Sequence, residues 1–267
     1  MLFLYLCYYE YMKYDVIIIG AGMAGLTAAI YVARAGKSVL VLEGMVQGGQ
    51  IINTVNIENW PGDYKVSGAD LMKKISQQAL ELGAEVKYEH VEKIEKQEHV
   101  FKVLAEDDEY TATAVIIAVG AEPRKLSEKQ TRDAGERPIS YCATCDGALY
   151  KNKPVVVVGS GNTAKHEIAY LKNIASKVYQ IHHDDPIPEE AVVVFAAIGR
   201  VPATDGFRDL VKLDNNGYIV AGEDCVTSCP GVYVAGDCRT KEVRQLVTAA
   251  ADGAVAAGAA VKYLDNI

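Results

Sequence analysis

The spacing Gly20-x-Gly22-x-x-Gly25 constrains this chain more than any other feature, because it sits directly between an apolar run and a helix-forming stretch. Residues 14–20, YDVIIIG, show no polar alternation, which predicts a strand buried on both faces of a parallel sheet. A helix is predicted from Met23 to about Gly36 and a second strand over 38–42, with Glu43 at its end, 18 residues after Gly25. Each position has a physical reason. Gly20 permits a tight turn, Gly22 lets the backbone approach a pyrophosphate, Gly25 allows close helix-strand packing, and a strand-end carboxylate can bind ribose hydroxyls. A glycine turn can be purely structural, but here strand, helix, second strand and acidic end occur together, and the reading is a dinucleotide site.

A second turn of this kind follows at Pro154-Val-Val-Val-Val-Gly159-Ser-Gly161-Asn-Thr-Ala164, with a helix to about Ala175 and a strand at 177–181. Two such motifs imply two nucleotides. Between them lies Cys142-Ala143-Thr144-Cys145-Asp146-Gly147. This C-x-x-C could be half of a zinc site, completed by Cys225 and Cys229 or by His182 and His183, but those pairs lie on separate segments, so redox chemistry is favoured. Six cysteines could also mark a secreted disulfide scaffold, yet no secretory signal precedes this close pair, and a reducing, cytoplasmic setting fits better. The opening MLFLYLCYY lacks a basic n-region and is about half of the ~20 residues that span a bilayer. Residues 1–11 are read as an extension, with Met12 an equally good start.

The remaining pattern fills in a two-lobed α/β chain. Leu71, Met72, Ile75, Ala79 and Leu82 recur at helical spacing between Gly68 and Gly83, which reads as core packing. Strands are expected near 84–88, 91–96, 100–105, 114–119 and 232–235, and GAEPRK at 120–125 reads as a linker. The Ala/Gly-rich stretch 249–260 is a poor membrane segment, since it is short and Asp252 interrupts it. With 27 basic and 35 acidic side chains the net charge is −8, which counts against a nucleic-acid partner. Cys7, Cys225, Cys229 and Cys238 are expected to be packed or incidental thiols, and His90 and His99 surface or strand-edge residues.

The blocks IIGAGMAGLTAAIYVARAG, GGQIINTVNIENWPG, YCATCDG, GSGNTA, AIGRVPAT and VYVAGDCRTKEVRQLVTAAADGAVAA resemble the low-molecular-weight, bacterial-type thioredoxin reductase family over nearly the whole chain. The resemblance implies two Rossmann-like domains: an FAD-binding domain from 1–120 and 203–267, and an inserted, truncated NAD(P)-binding domain at 121–202 carrying the dithiol. It implies electron flow from NADPH through FAD to Cys142 and Cys145, then to thioredoxin or a similar small disulfide protein, and the family is usually dimeric. FAD contacts fall on Gly20, Gly22, Gly25, Glu43, Gly48, Gly49, Gln50, Asn59, Asp237, Arg244 and Gln245, and the nicotinamide cofactor on Gly159 and Gly161. Trp60 is expected to pack a turn near the flavin. By the same likeness Cys145 lies next to the flavin, Cys142 attacks the partner disulfide, and Asp146 is the acid/base. A plainer reading makes Asp146 the N-cap of a short helical turn.

The likeness breaks after the strand at 177–181. The family follows it with a His-Arg-Arg-type motif and a further Arg that grip a 2′-phosphate, whereas this chain reads Ile181-His182-His183-Asp184-Asp185-Pro186. Carboxylates repel a phosphate that guanidinium forks would bind. Several dozen residues of the family pattern are then missing, and a strand at 191–198 is expected after only the loop residues 183–190. Such a loop spans roughly 25–30 Å at ~3.3 Å per residue, barely enough for a parallel return. The expectations are a small, exposed lobe with one poorly covered sheet face, and weak or unproductive NADPH binding. The rivals are a reductase fed by another donor, such as reduced ferredoxin, and a non-catalytic FAD-binding remnant.

Overall fold

A computed structural model describes residues 13–44, 48–182 and 185–267; the extension at 1–11, Met12, Cys7, His183 and Asp184 lie outside the described residues. The chain begins β1 (Lys13–Ile19), α1 (Met23–Arg34), β2 (Val39–Glu43), a 3-10 turn Gly49–Asn53 and α2 (Gly68–Glu81). It continues β3 (Glu85–Tyr88), β4 (Val91–Gln97), β5 (Val100–Ala105), β6 (Glu109–Ile117), β7 (Ala121–Pro123), α3 (Glu128–Ala134) and β8 (Ile139–Ser140). After α4 (Ala143–Asp146) come β9 (Pro154–Val158), α5 (Asn162–Leu171), β10 (Lys177–Ile181), β11 (Val194–Ala196) and β12 (Arg200–Pro202). The chain ends with β13 (Val232–Val234) and α6 (Leu246–Leu264). Two units result, Met1–Ala121 with Pro202–Ile267, and Glu122–Val201.

In the larger unit the sheet runs β3-β2-β1-β6-β5-β4. β1 pairs β2 and β6 in parallel and β2 pairs β3 likewise, while β4, β5 and β6 form an antiparallel meander. β6 is long enough to serve two partners on one edge: residues 109–112 face β5, and residues 115–117 face β13 in parallel. The unbroken apolar runs of β1 and β2 are buried on both sides, as continuous hydrophobicity requires. One face packs against α1 and α6, whose small residues Ala24, Ala28, Ala29, Ala256, Ala257 and Ala260 let the helices come close. A Cβ on Gly253 would lie 2.2 Å from the Ala24 carbonyl oxygen, so only glycine fits that crossing. The other face packs Phe101, Val103, Tyr110, Phe207 and Ile219.

The smaller unit is a four-stranded parallel sheet ordered β10-β9-β11-β8. Here the expectation of a poorly covered face is overturned. Val155, Val156, Val157 and Val158 of β9 are all fully buried. Ala164 and Leu171 of α5, with Ala143, cover one side, and Leu126, Ala134, Ala191 and the partly buried Ile187 cover the other. The connection succeeds because β11 is shorter than the sequence suggests. Only Val194–Ala196 is strand, so residues 182–193 are available for the crossover, and Ile187 and Ala191 on that loop replace a helix as the covering layer. Likewise α5 ends at Leu171 rather than near Ala175. The stretch 120–125 is more than a linker, since β7 pairs β12 and Arg124 N–H donates to Gly199 O at 2.9 Å.

Candidate functional site

In the larger unit the first glycine turn is built by backbone geometry. Gly20 has φ +104°, and a Cβ there would lie 2.5 Å from the Ala118 carbonyl oxygen. A Cβ on Gly25 would lie 1.8 Å from the Gly20 carbonyl oxygen, which is the close helix-strand contact expected of it. Gly22 is different: nothing lies within 4 Å of where its Cβ would be. It caps α1 without a side-chain hydrogen bond, and the first turn holds no acidic residue. An open space at an uncapped helix start fits an anionic group such as a pyrophosphate. Glu43 closes the turn, its Oε2 accepting Ala21 N–H at 2.7 Å and its Oε1 accepting Gly44 N–H at 2.8 Å.

Other expected contacts converge on the same edge of the sheet. Gly48 and Gly49 both have positive φ at the start of the 3-10 turn, and a Cβ on Gly49 would lie 3.8 Å from Gly22 Cα. Gln50 Nε2 donates to Ala121 O at 2.7 Å. Asn59 Nδ2 donates to Gln245 Oε1 at 3.1 Å, so two residues far apart in sequence meet where Gln245 caps α6. Arg244 donates to the Asp237 carbonyl at 3.3 Å while its guanidinium stacks over Tyr218. Asp237 follows β13, with its preceding Gly236 against Ala24 of α1. Trp60 is partly buried against the core that includes α1.

Sequence reasoning missed the group that anchors this turn. Asp252, which in the sequence only interrupts an apolar stretch, is buried and accepts Gly236 N–H at 3.0 Å, Arg239 through two 2.9 Å bonds, and Lys241 at 2.7 Å. Burial alone would raise its pKa, but Arg239 and Lys241 outweigh burial and hold it below the ordinary carboxylate range. The signal available was an acid inside an Ala/Gly helix with two cations, Arg239 and Lys241, 13 and 11 residues upstream.

In the smaller unit Cys142 and Cys145 form a disulfide with Cα atoms 5.3 Å apart. Cys142 is the N-cap of α4, and Asp146 both ends α4 and stands at the N-cap of the 3-10 turn Gly147–Tyr150, as the plainer reading expects, but its side chain makes no capping bond. Ser140 takes that carboxylate instead. Its Oγ donates to Asp146 Oδ2 at 2.6 Å and accepts Cys142 N–H at 3.2 Å, tying the acid to the cysteine backbone. Cys225, Cys229 and Cys238 are buried free thiols, and burial pushes Cys225 up to about 11 and Cys238 up to about 12. No cluster of metal-ligating residues occurs among the described residues. His90 and His99 are exposed.

The second glycine turn repeats the first. Gly159 has φ +138° with a Cβ position 2.4 Å from the Ala197 carbonyl oxygen, while Gly161 has nothing within 4 Å and caps α5 without a side-chain bond. A pyrophosphate fits there. At the end of β10 Asp185 Oδ2 accepts His182 N–H at 2.8 Å, so a carboxylate, which repels phosphate, stands at that strand end.

The family model described as pyridine nucleotide-disulphide oxidoreductase matches residues 14–191 and 182–254. The thioredoxin reductase of Listeria monocytogenes is 36% identical over 302 residues, covering 95% of this chain and 95% of that protein. The thioredoxin reductase structure from Streptococcus pyogenes is similar at a TM-score of 0.88 and 33% identity, over 96% of this chain and 99% of that one. A ferredoxin-flavin thioredoxin reductase from Clostridium acetobutylicum is similar at 0.61 and 28% identity, over 95% and 98%. The Listeria alignment is longer than the 267 residues here, so that relative carries segments without a counterpart in this chain. The family match itself divides at 182–191, in the crossover after β10. With both glycine turns, the dithiol and these likenesses in agreement, the chain belongs to the pyridine nucleotide-disulphide oxidoreductase family, among the low-molecular-weight thioredoxin reductases.

Proposed function

We propose that this chain is an FAD-dependent disulfide reductase that passes electrons through Cys142 and Cys145 to the disulfide of a small protein such as thioredoxin. The observation that carries the reading is the Cys142–Cys145 disulfide with Asp146 held beside it by Ser140. When bound, FAD would supply the electron pair that opens this disulfide. Two protons are also needed, and in this reading Asp146, held by Ser140, moves one of them. The Cys142 thiolate then attacks the partner disulfide and expels one partner sulfur; Cys145 attacks the mixed disulfide, restores the Cys142–Cys145 bond and releases the partner as a dithiol. Gly20, Gly22, Gly25, Glu43, Gly48, Gly49, Gln50, Asn59, Asp237, Arg244 and Gln245 are the residues proposed to hold FAD. We place the protein in the cytoplasm, as a homodimer, without a nucleic-acid or membrane partner; no described helix is long and apolar enough to cross a membrane.

NADPH is the family's donor, and Gly159 and Gly161 support a nucleotide there. The carboxylate of Asp185 at the end of β10 favours a second reading, in which NADPH is a poor donor and reduced ferredoxin serves instead. Anaerobic mixing of flavin-loaded protein with NADPH and, separately, with reduced ferredoxin tests both, followed by thioredoxin thiol release. Slow or absent bleaching of the flavin band by NADPH with rapid bleaching by ferredoxin is the expected pattern. Rapid bleaching by NADPH overturns the second reading, and a reduced flavin that never yields partner thiols overturns the reductase itself.

A further inference from the structure

Glu167, in the middle of α5, has no role in the scheme above, yet it reaches the peptide beside the reactive cysteine. One of its carboxylate oxygens accepts the N–H of Ala143, the residue directly after Cys142. The other, Oε2, is buried with no hydrogen-bond partner. Burial holds the pKa of this group above the ordinary carboxylate value, although the Ala143 N–H and the Arg200 charge pull it the other way. Arg200 in turn donates to the Tyr141 carbonyl at 3.4 Å, and Ser140 Oγ accepts Cys142 N–H. Both peptide groups flanking Cys142 are therefore held, one by a cation and a hydroxyl, the other by an anion.

Leaving a buried carboxylate oxygen unsatisfied costs free energy, and an apolar side chain at this point of α5 would avoid that cost. We propose that Glu167 sets the reducing strength of the Cys142/Cys145 pair by holding negative charge against the peptide that follows Cys142. The inference rests on the dithiol reading given above. Reduction adds two electrons and two protons to the disulfide, and the nucleophilic thiolate arises when Cys142 loses one of those protons. That thiolate is stabilised by nearby N–H groups and cations and opposed by nearby anions. With Ala143 N–H already taken and a carboxylate alongside, the reduced form is disfavoured, so the pair gives up its electrons more readily. Glu167 acts through the turn and is a positioning residue, without contact to substrate.

The test is a redox titration of the flavin-loaded full chain in mixtures of reduced and oxidised dithiothreitol, with alkylation of free thiols and mass spectrometry of the Cys142/Cys145 peptide. Glu167→Gln should move the dithiol:disulfide equilibrium toward dithiol by about tenfold, which is about 30 mV for a two-electron couple. The pH midpoint of Cys142 alkylation should fall with it, and Glu167→Asp should stay near the parent protein. A Glu167→Gln variant that melts like the parent and titrates within about twofold of it, on the same scale, overturns the proposal. Should Gln prevent folding, Glu167→Ala against Glu167→Asp makes the same comparison: the neutral residue must shift the midpoint and the charged one must not. A parent pair that never equilibrates with the thiol buffer brings down the dithiol reading and this inference with it.

Discussion

Replacing Asp252 by Ala removes the hub of a buried ion network, and the structure sets the size of the loss. Arg239 and Asp252 have side chains only 2% and 7% exposed, joined by a guanidinium fork at 2.9 Å. Lys241, 5% exposed, adds a third contact at 2.7 Å. Once the carboxylate is gone, Arg239 keeps the Thr240 carbonyl at 3.0 Å and the exposed Glu223 at 3.3 Å, while Lys241 remains beside it as a second cation. Removing one member of a buried pair costs about 3–5 kcal/mol, since the survivor stays desolvated. The exposed pair Lys37–Asp265 is a built-in control, because such contacts contribute about 0–1 kcal/mol. Urea unfolding followed by the single tryptophan, Trp60, measures both variants. The folded pKa of Asp252 is depressed, so its contribution is fully present above the ordinary carboxylate value of about 4 and is lost as pH falls through the lower folded value. A loss under about 1 kcal/mol in Asp252→Ala at neutral pH would refute the reasoning, because it would put the buried network on a par with a surface pair.

The two glycines of the first turn should separate folding from cofactor retention. Gly22→Val should lower FAD retention by about tenfold or more as the side chain fills the space at the helix start, while in FAD-stripped protein its melting curve stays close to the parent's, because its Cβ meets nothing within 4 Å. Gly20→Val should instead lose stability, by about 1–3 kcal/mol from the φ of +104° alone and more from the contact with Ala118 O. Equal melting curves for the two variants would contradict this. Among the thiols, burial raises Cys225 to about 11 and Cys238 to about 12, so iodoacetamide at pH 8 should label Cys142 and Cys145 after reduction and leave Cys225 and Cys238 unmodified until the protein is unfolded. Peptide mapping reads that directly.

What the sequence made legible were features written locally. The strand, turn and helix at 14–34 follow from an apolar β-branched run and three glycines, and the structure realises them within about two residues. The Cys-x-x-Cys spacing needs only four residues to specify a closed pair. The residues that hold these features in place are written non-locally and were not legible. Asn59 meets Gln245 across nearly two hundred positions, and Asp252 meets Gly236 and Arg239 because α6 packs back along α1. Nothing in the neighbouring sequence of Ser140 says that its hydroxyl bridges Asp146 and the Cys142 amide.

The missing segment shows the same limit from the opposite side. Counting residues from the motif to the next apolar run gave a crossover too short to shield a sheet, because the whole of 191–198 looked like strand. Strand length is decided by pairing, however, and β11 pairs only where β8 and β9 face it, over Val194–Ala196. The apolar residues before it are thereby released to turn inward: Val193 joins one face of the sheet and Ala191 the other, with Ile187 beside it. A loop can stand in for a helix here because three apolar side chains need little backbone to place them, whereas a phosphate clamp needs charged side chains held at fixed points on a strand end and the helix after it. The shortened connection can therefore keep the sheet covered while losing the groups that recognise the phosphate, which is why stability of the smaller unit and competence toward NADPH should be separable properties of this chain.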